Sequence, residues 1–300
     1  MTILNIANDG YYNVLVTLCG ALAVEGDTNK DKLIDICSNK EENARKRVSQ
    51  TLLRWTQLGF FVENDSKISF CDDAKNIKLN KGNIDKFRDQ LKSVIRNILF
   101  DQSNNKYFWD SERTKAADFT RALSWVLAQD IYNFSLAKID KVQTFESLQI
   151  KDPEKRPIQN DVRLNGLRVW ANYLGFACKF KELMVDPTEA IKQEVLCLFK
   201  KNKAYAADDF VSGLAERLPV LDGGEYRLKV ERELDPQQWR KPQNPETLST
   251  SLSRALWRLE LSGFIELEAR ADARKNRVIQ REDGHQLKSF THVVYRGTGQ

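Results

Sequence analysis

One stretch of this chain occurs twice, and that repeat limits the folds open to it more than any other feature. When Gly59 is set against Gly263, residues 45–61 lie over residues 249–265. Ser49 then matches Ser253, Leu52 matches Leu256, Arg54 matches Arg258, and Gly59-Phe60 matches Gly263-Phe264. In each copy apolar residues recur at helical spacing up to the glycine, and an apolar run follows it. That pattern predicts a helix stopped by a left-handed glycine and then a strand. A chain of 300 residues that repeats such a pattern is expected to hold two domains.

The surroundings of the first copy predict further elements. Val14, Leu15, Leu18, Ala21 and Leu22 mark a helix from about Asp9 to Val24, broken at Gly26-Asp27. A short helix spans Lys30 to Cys37. A long one runs from about Glu41 to Leu58, with Glu41 and Glu42 in the first turn, where the helix dipole favours acids. Phe60-Phe61-Val62 and Lys67-Ile68-Ser69-Phe70, joined by a polar turn, read as a hairpin. In this order, and in Leu58-Gly59-Phe60, residues 8–72 resemble the winged helix-turn-helix family. In the long helix Val48, Thr51, Leu52, Trp55 and Leu58 face a core. Lys46, Gln50, Arg54 and Gln57 face the other way, with Arg47 at the edge. Such side chains reach base edges and phosphates from a helix in the major groove; a merely wet face is the plain alternative.

The second copy carries the same implications. Asn244-Pro245-Glu246 opens its helix, Leu252, Ala255, Leu256 and Leu259 form the apolar side, and Arg254 and Arg258 lie opposite. After Gly263, Phe264 to Glu268 reads as a strand. The basic loop holding Arg274, Lys275 and Arg277 follows, and Val278-Ile279 is expected to begin the return strand. Helices are expected over Glu189–Lys200 and Asp208–Leu218. Residues 219–243 read as an insertion in which Tyr226-Arg227-Leu228-Lys229-Val230 alternates like a strand. Between the copies, helices are expected over 83–99, 111–130 and 161–174. Leu174-Gly175-Phe176 echoes the repeat but shows no clear wing, so a degenerate third unit and a plain helical connector both stand. The expected class is mainly α with small β-hairpins. The expected domains are 1–80, 81–185 and 186–300.

Composition narrows the function. The 47 basic and 42 acidic residues leave a net charge of +5, a mild excess that permits nucleic-acid binding. The excess is clustered, with six cations against two acids between Lys78 and Phe100 and seven against four between Glu268 and Arg296. Only His285 and His292 could serve as histidine acid–base groups, and neither has a catalytic partner nearby in sequence. The five cysteines include no Cys-x-x-Cys pair, so reduced, buried, structural thiols are expected and no zinc site. No phosphate-binding glycine loop and no nucleophile elbow occurs, and Glu266-Leu267-Glu268 lacks the lysine of a nuclease motif. No apolar run matches a membrane span and no secretory signal is read. The expectation is a cytoplasmic, non-enzymatic protein without cofactor or metal, binding double-stranded DNA through Lys46, Arg47, Gln50, Arg54, Arg254, Arg258, Arg274, Lys275 and Arg277. A protein-docking subunit is the alternative, because fold does not fix function.

The opening Ile3-Leu4-Asn5, then Asp9-Gly10 and Asn13-Val14-Leu15-Val16, together with the winged-helix layout over the whole length, resembles the DpdG family of bacterial clusters that insert deazaguanine bases into DNA. The resemblance implies a bacterial DNA modification and restriction setting, with other subunits of such a complex as partners. It carries no catalytic residue over.

Overall fold

The computed structural model describes residues 3–4, 12–79, 84–110, 113–200, 202–242, 244–271 and 275–297. The protein is mainly α with small antiparallel β elements, as expected. It forms two compact units, Met1–Phe119 with Asn165–Leu174 and Thr120–Leu164 with Gly175–Gln300.

The first unit contains α1 (Tyr12–Glu25), β1 (Thr28–Asn29), α2 (Lys30–Ser38), α3 (Glu42–Gln57), β2 (Phe61–Asn64), β3 (Lys67–Phe70) and α4 (Ile84–Phe100). It also takes the first residues of α5 (Ala117–Ala128) and most of α7 (Asp161–Tyr173); α6 (Ile139–Gln149), between them in the chain, belongs to the second unit. Asn29 caps α2 by accepting from the Asp31 and Lys32 N–H groups, and Glu41 caps α3 through Asn43 and Ala44. The strands form a sheet of order β1-β3-β2, with Thr28 opposite Ile68 and Phe61 opposite Phe70. Asp65 and Ser66 turn the hairpin with φ of 47° and 64°, the paired positive values of a tight two-residue turn. Leu15, Leu18, Leu33, Val48, Leu52, Trp55, Phe60 and Ile68 make the core, and the Trp55 and Trp170 rings lie 5.7 Å apart. The Ile3 and Leu4 N–H groups donate to buried Asp118 at 3.2 and 2.7 Å. A Cβ at Gly166 would stand 2.4 Å from the Leu4 carbonyl oxygen, so glycine is required there. Asn5, Asp9 and Gly10 lie outside the described residues.

In the second unit follow β4 (Ala177–Lys179), β5 (Leu183–Val185), α8 (Thr188–Leu198), β6 (Ala204–Ala206), α9 (Ala207–Arg217), α10 (Glu225–Glu231), α11 (Thr250–Leu261), β7 (Ile265–Glu268), β8 (Arg277–Gln280), β9 (Gln286–Phe290) and β10 (His292–Tyr295). Its three-stranded sheet has the order β6-β10-β7. Helix, short strand, helix, then the repeated helix and a hairpin with the first strand beside the last thus occurs in both units, through α1–β3 and through α8–β10. Leu252, Ala255, Leu256 and Leu259 are buried, as expected.

Three expectations are corrected here. Val278-Ile279 does not return beside β7; β8 pairs with β9, and β10 is the strand that closes the hairpin with β7. Residues 226–230 are helical. Tyr226 and Val230, one turn apart, are buried while Leu228 between them is exposed, and Lys229–Glu225 and Arg227–Glu231 bridge successive turns at 2.6 Å. The sequence after Leu174-Gly175-Phe176 does form a hairpin, β4–β5.

The cysteines are free, but only Cys19 is buried; Cys37, Cys71, Cys178 and Cys197 are half-buried. Burial holds Cys19 well above the ordinary thiol range and pushes Cys37 up to about 11. Thiolate is the reactive form. Cys37 is therefore expected to alkylate roughly a hundredfold more slowly near pH ~8 than a thiol of ordinary pKa, as followed by mass spectrometry of the modified peptide.

Candidate nucleic-acid interface

The interface is built from helix ends. In α3 the chain stops at Gly59, φ 88°, where the Phe60 N–H donates to the Trp55 carbonyl at 2.8 Å and the Gly59 N–H to that of Thr56 at 3.0 Å. In α11 the same pair of bonds joins Phe264 to Leu259 at 3.0 Å and Gly263 to Glu260 at 2.9 Å, with Gly263 at φ 70°. The repeated sequence is thus a repeated cap. It leaves each helix with one face on its own core and the other open to whatever its surroundings supply.

On α3 that open face is cationic. Lys46 and Arg47 are exposed, and Gln50 is half-exposed. Among the described residues no carboxylate pairs with either cation. Glu41, Glu42 and Asn43 at the start of the helix are exposed too, so its first turns stand clear.

Arg54 does not belong to this face. It is only 6 % exposed, against the expectation that it projects. At 100° per residue it stands about 40° from Leu58 and about 60° from Thr51, and both of those are buried. Arg54 is therefore on the flank of the core side, where its aliphatic stem packs. Asn104 seals that end of the helix by donating to the Leu58 carbonyl at 2.9 Å.

The corresponding face of α11 is differently dressed. Thr250, Ser251 and Ser253 are buried. Ser251 donates to the Leu127 carbonyl at 2.8 Å, and the Thr250 hydroxyl links the Gln129 carbonyl and the Ile131 N–H at 3.2 and 3.1 Å. The first turn is therefore covered. Arg254 lies 3.6 Å from Asp186 and 5.8 Å over the Tyr132 ring. Arg258 also pairs with Asp186, so Arg54 and Arg258, aligned in sequence, occupy unlike environments. Arg277 donates to Asp208 at 2.6 Å and to the Pro245 carbonyl at 2.9 Å, and Lys275 stands 3.4 Å from the same carboxylate. Arg274 lies outside the described residues.

Of the nine residues expected to meet DNA, Lys46, Arg47 and Gln50 are brought together on one open face, whereas Arg254, Arg258, Lys275 and Arg277 are drawn to two carboxylates. Those two acids are not apparent from sequence. Asp186 stands before a helix and reads as its cap, which it also is, since it accepts from the Thr188 N–H at 3.0 Å. Its second role depends on a contact 72 residues away, which no local pattern announces. Cys178 lies beside the same carboxylate, and burial pushes its thiol up. In the basic stretch on α4, Arg96 is buried and donates to the Leu174 carbonyl at 3.1 Å, while Arg88 and Lys92 pair with Asp85 and Asp89 at 3.7 and 3.6 Å.

The chain belongs to the DpdG-like family, whose model matches residues 1–273. That bears out the resemblance carried by the opening residues. No curated protein and no solved structure matches it. No described helix is long and apolar enough to cross a membrane.

Asp186 is buried and holds both the start of α8 and two arginines of α11. Asp186→Ala is expected to destabilise the protein by about 2–3 kcal/mol, the loss of charge-assisted bonds discounted for the partial exposure of Arg258. Urea unfolding measures this, and Arg258→Ala, which leaves the cap in place, is expected to lose less.

Proposed function

We propose that this protein is a non-enzymatic binder of double-stranded DNA, with α3 as the helix that enters the major groove. The observation that carries the reading is the open face of Lys46, Arg47 and Gln50, where two cations have no carboxylate partner among the described residues. Paired charges must break an existing bond before meeting a phosphate; these need not. Lysine and arginine supply phosphate contacts and glutamine can read adenine. Helix, strand, helix, helix and hairpin with the sheet order β1-β3-β2 is the arrangement of a winged helix, and we take both repeats as winged helices.

Membership of the DpdG-like family suggests a role in the bacterial deazaguanine DNA-modification system. Within it, a subunit that grips duplex DNA would hold the substrate for the subunits that carry the chemistry. Against an enzyme stand the lack of a catalytic motif in the sequence and the engagement of the acids on β7, where Glu266 and Glu268 pair with Arg296 and Arg270.

A second reading applies to the C-terminal repeat. The covered first turn of α11 and the pairing of its arginines with Asp186 favour a docking surface for another subunit of the complex over a groove-reading helix. Arg254, Arg258, Lys275 and Arg277 then meet phosphate only by exchanging their carboxylates.

Anisotropy titration of a labelled duplex over a series of salt concentrations tests the DNA reading. Affinity is expected to fall linearly on logarithmic axes as salt rises. The double variant Lys46→Ala, Arg47→Ala is expected to flatten the slope by about two units, roughly one for each phosphate no longer neutralised. Absence of binding to any duplex at low salt overturns the reading.

A further inference from the structure

The hairpin β4–β5 plays no part in DNA binding through α3. It is short and well anchored. Ala177 faces Val185, Cys178 faces Met184 and Lys179 faces Leu183. At its base the Asp186 N–H donates to the Phe176 carbonyl at 2.9 Å, and the Ala177 and Val185 side chains are buried. At its tip the Phe180 N–H donates to the Glu182 carbonyl at 3.2 Å, which closes a tight turn.

The side chains at that tip are unusual. Phe180 is 82 % exposed, more than any other large hydrophobic residue among those described. Lys179 and Lys181 flank it in sequence, both exposed, and among the described residues neither is in an ion pair. The hairpin is secured at its base by the Asp186–Phe176 bond and the buried Ala177 and Val185, so the Phe180 ring is not needed to hold it.

The surroundings select the occupant. A protein interface is built on a contiguous apolar patch, and a membrane anchor on a broad apolar face. Here the residues beside Phe180 in the chain are two lysines and a glutamate, all exposed. An exposed ring with a lysine on either side of it in the chain, at the tip of a two-stranded hairpin, matches stacked bases between two phosphate chains. Apolar wedges of this kind enter between base steps and partly unstack them, while adjacent cations hold the backbone.

We propose that the tip of β4–β5 is a second DNA contact, in which Phe180 inserts between stacked base pairs and Lys179 and Lys181 meet the flanking phosphates. The inference rests on the DNA-binding reading and adds to it a site remote in sequence from α3.

The experiment uses the full chain and a set of duplexes carrying 2-aminopurine, which brightens when unstacked, together with the anisotropy titration. The wild type is expected to brighten the probe at one or a few positions. Phe180→Ala is expected to abolish that signal and to weaken binding at least about fivefold, the scale of one aromatic–base stack. Its salt slope is expected to stay that of the wild type, because the charge is unchanged, while Lys179→Ala flattens the slope by about one unit. Thermal melting of Phe180→Ala should match the wild type, since so exposed a ring supports little of the fold. If Phe180→Ala keeps both the wild-type affinity and the 2-aminopurine signal while the Lys46→Ala, Arg47→Ala variant weakens, the wedge is overturned and the DNA reading stands. If the wild type binds no duplex, both are overturned.

Discussion

A helix-ending turn on glycine fixes where three of the hairpins, β2–β3, β4–β5 and β7–β10, begin. Gly59, Gly175 and Gly263 all adopt positive φ, which a side chain with a Cβ resists. After each glycine comes a buried phenylalanine, and its carbonyl accepts from the residue that leaves the hairpin: Cys71 to Phe60 at 3.0 Å, Asp186 to Phe176 at 2.9 Å and Arg296 to Phe264 at 3.1 Å. One turn therefore sets both the end of a helix and the closing rung of a hairpin. The faces that α3 and α11 turn away from their cores follow from it.

The two repeats share this framework and differ in how they treat charge. α3 begins in solvent and keeps Lys46 and Arg47 unpaired among the described residues. α11 begins beneath the segment that follows α5, and Asp186 holds its two arginines. A buried carboxylate with two guanidinium partners and a helix-capping bond is a fixed structural element, because releasing the arginines would leave an uncompensated charge away from water. Equivalent positions are thus left open to solvent in one unit and tied to a buried carboxylate in the other.

The parts legible in the sequence are those set by short-range periodicity. The apolar sides of α3 and α11, the glycine caps and the first hairpin follow from spacings within a few residues. Sequence and structure part where distant contacts decide the outcome. Arg54 lies on a flank whose exposure depends on packing from elsewhere in its unit. The alternation of Tyr226, Leu228 and Val230 fits a strand, yet residues 226 and 230 are also one helical turn apart, and the pairs 225–229 and 227–231 are oppositely charged. Val278-Ile279 is the next apolar run after β7 and so reads as its return strand, whereas hairpin β8–β9 intervenes and β10 closes the sheet. In the middle of the chain β4–β5 leaves little trace in the sequence, because its strands are three residues each and its tip is charged.

Lysine reactivity on and off DNA tests the central claim most directly, because it asks which repeat the duplex covers. The full chain is acetylated under limiting reagent, with and without saturating duplex, and each lysine is read by mass spectrometry. The account predicts that Lys46 reacts freely in the absence of DNA and is shielded in its presence, while Lys275, beside Asp208, changes little. Equal reactivity of Lys46 in both conditions, with shielding confined to Lys275, would contradict it.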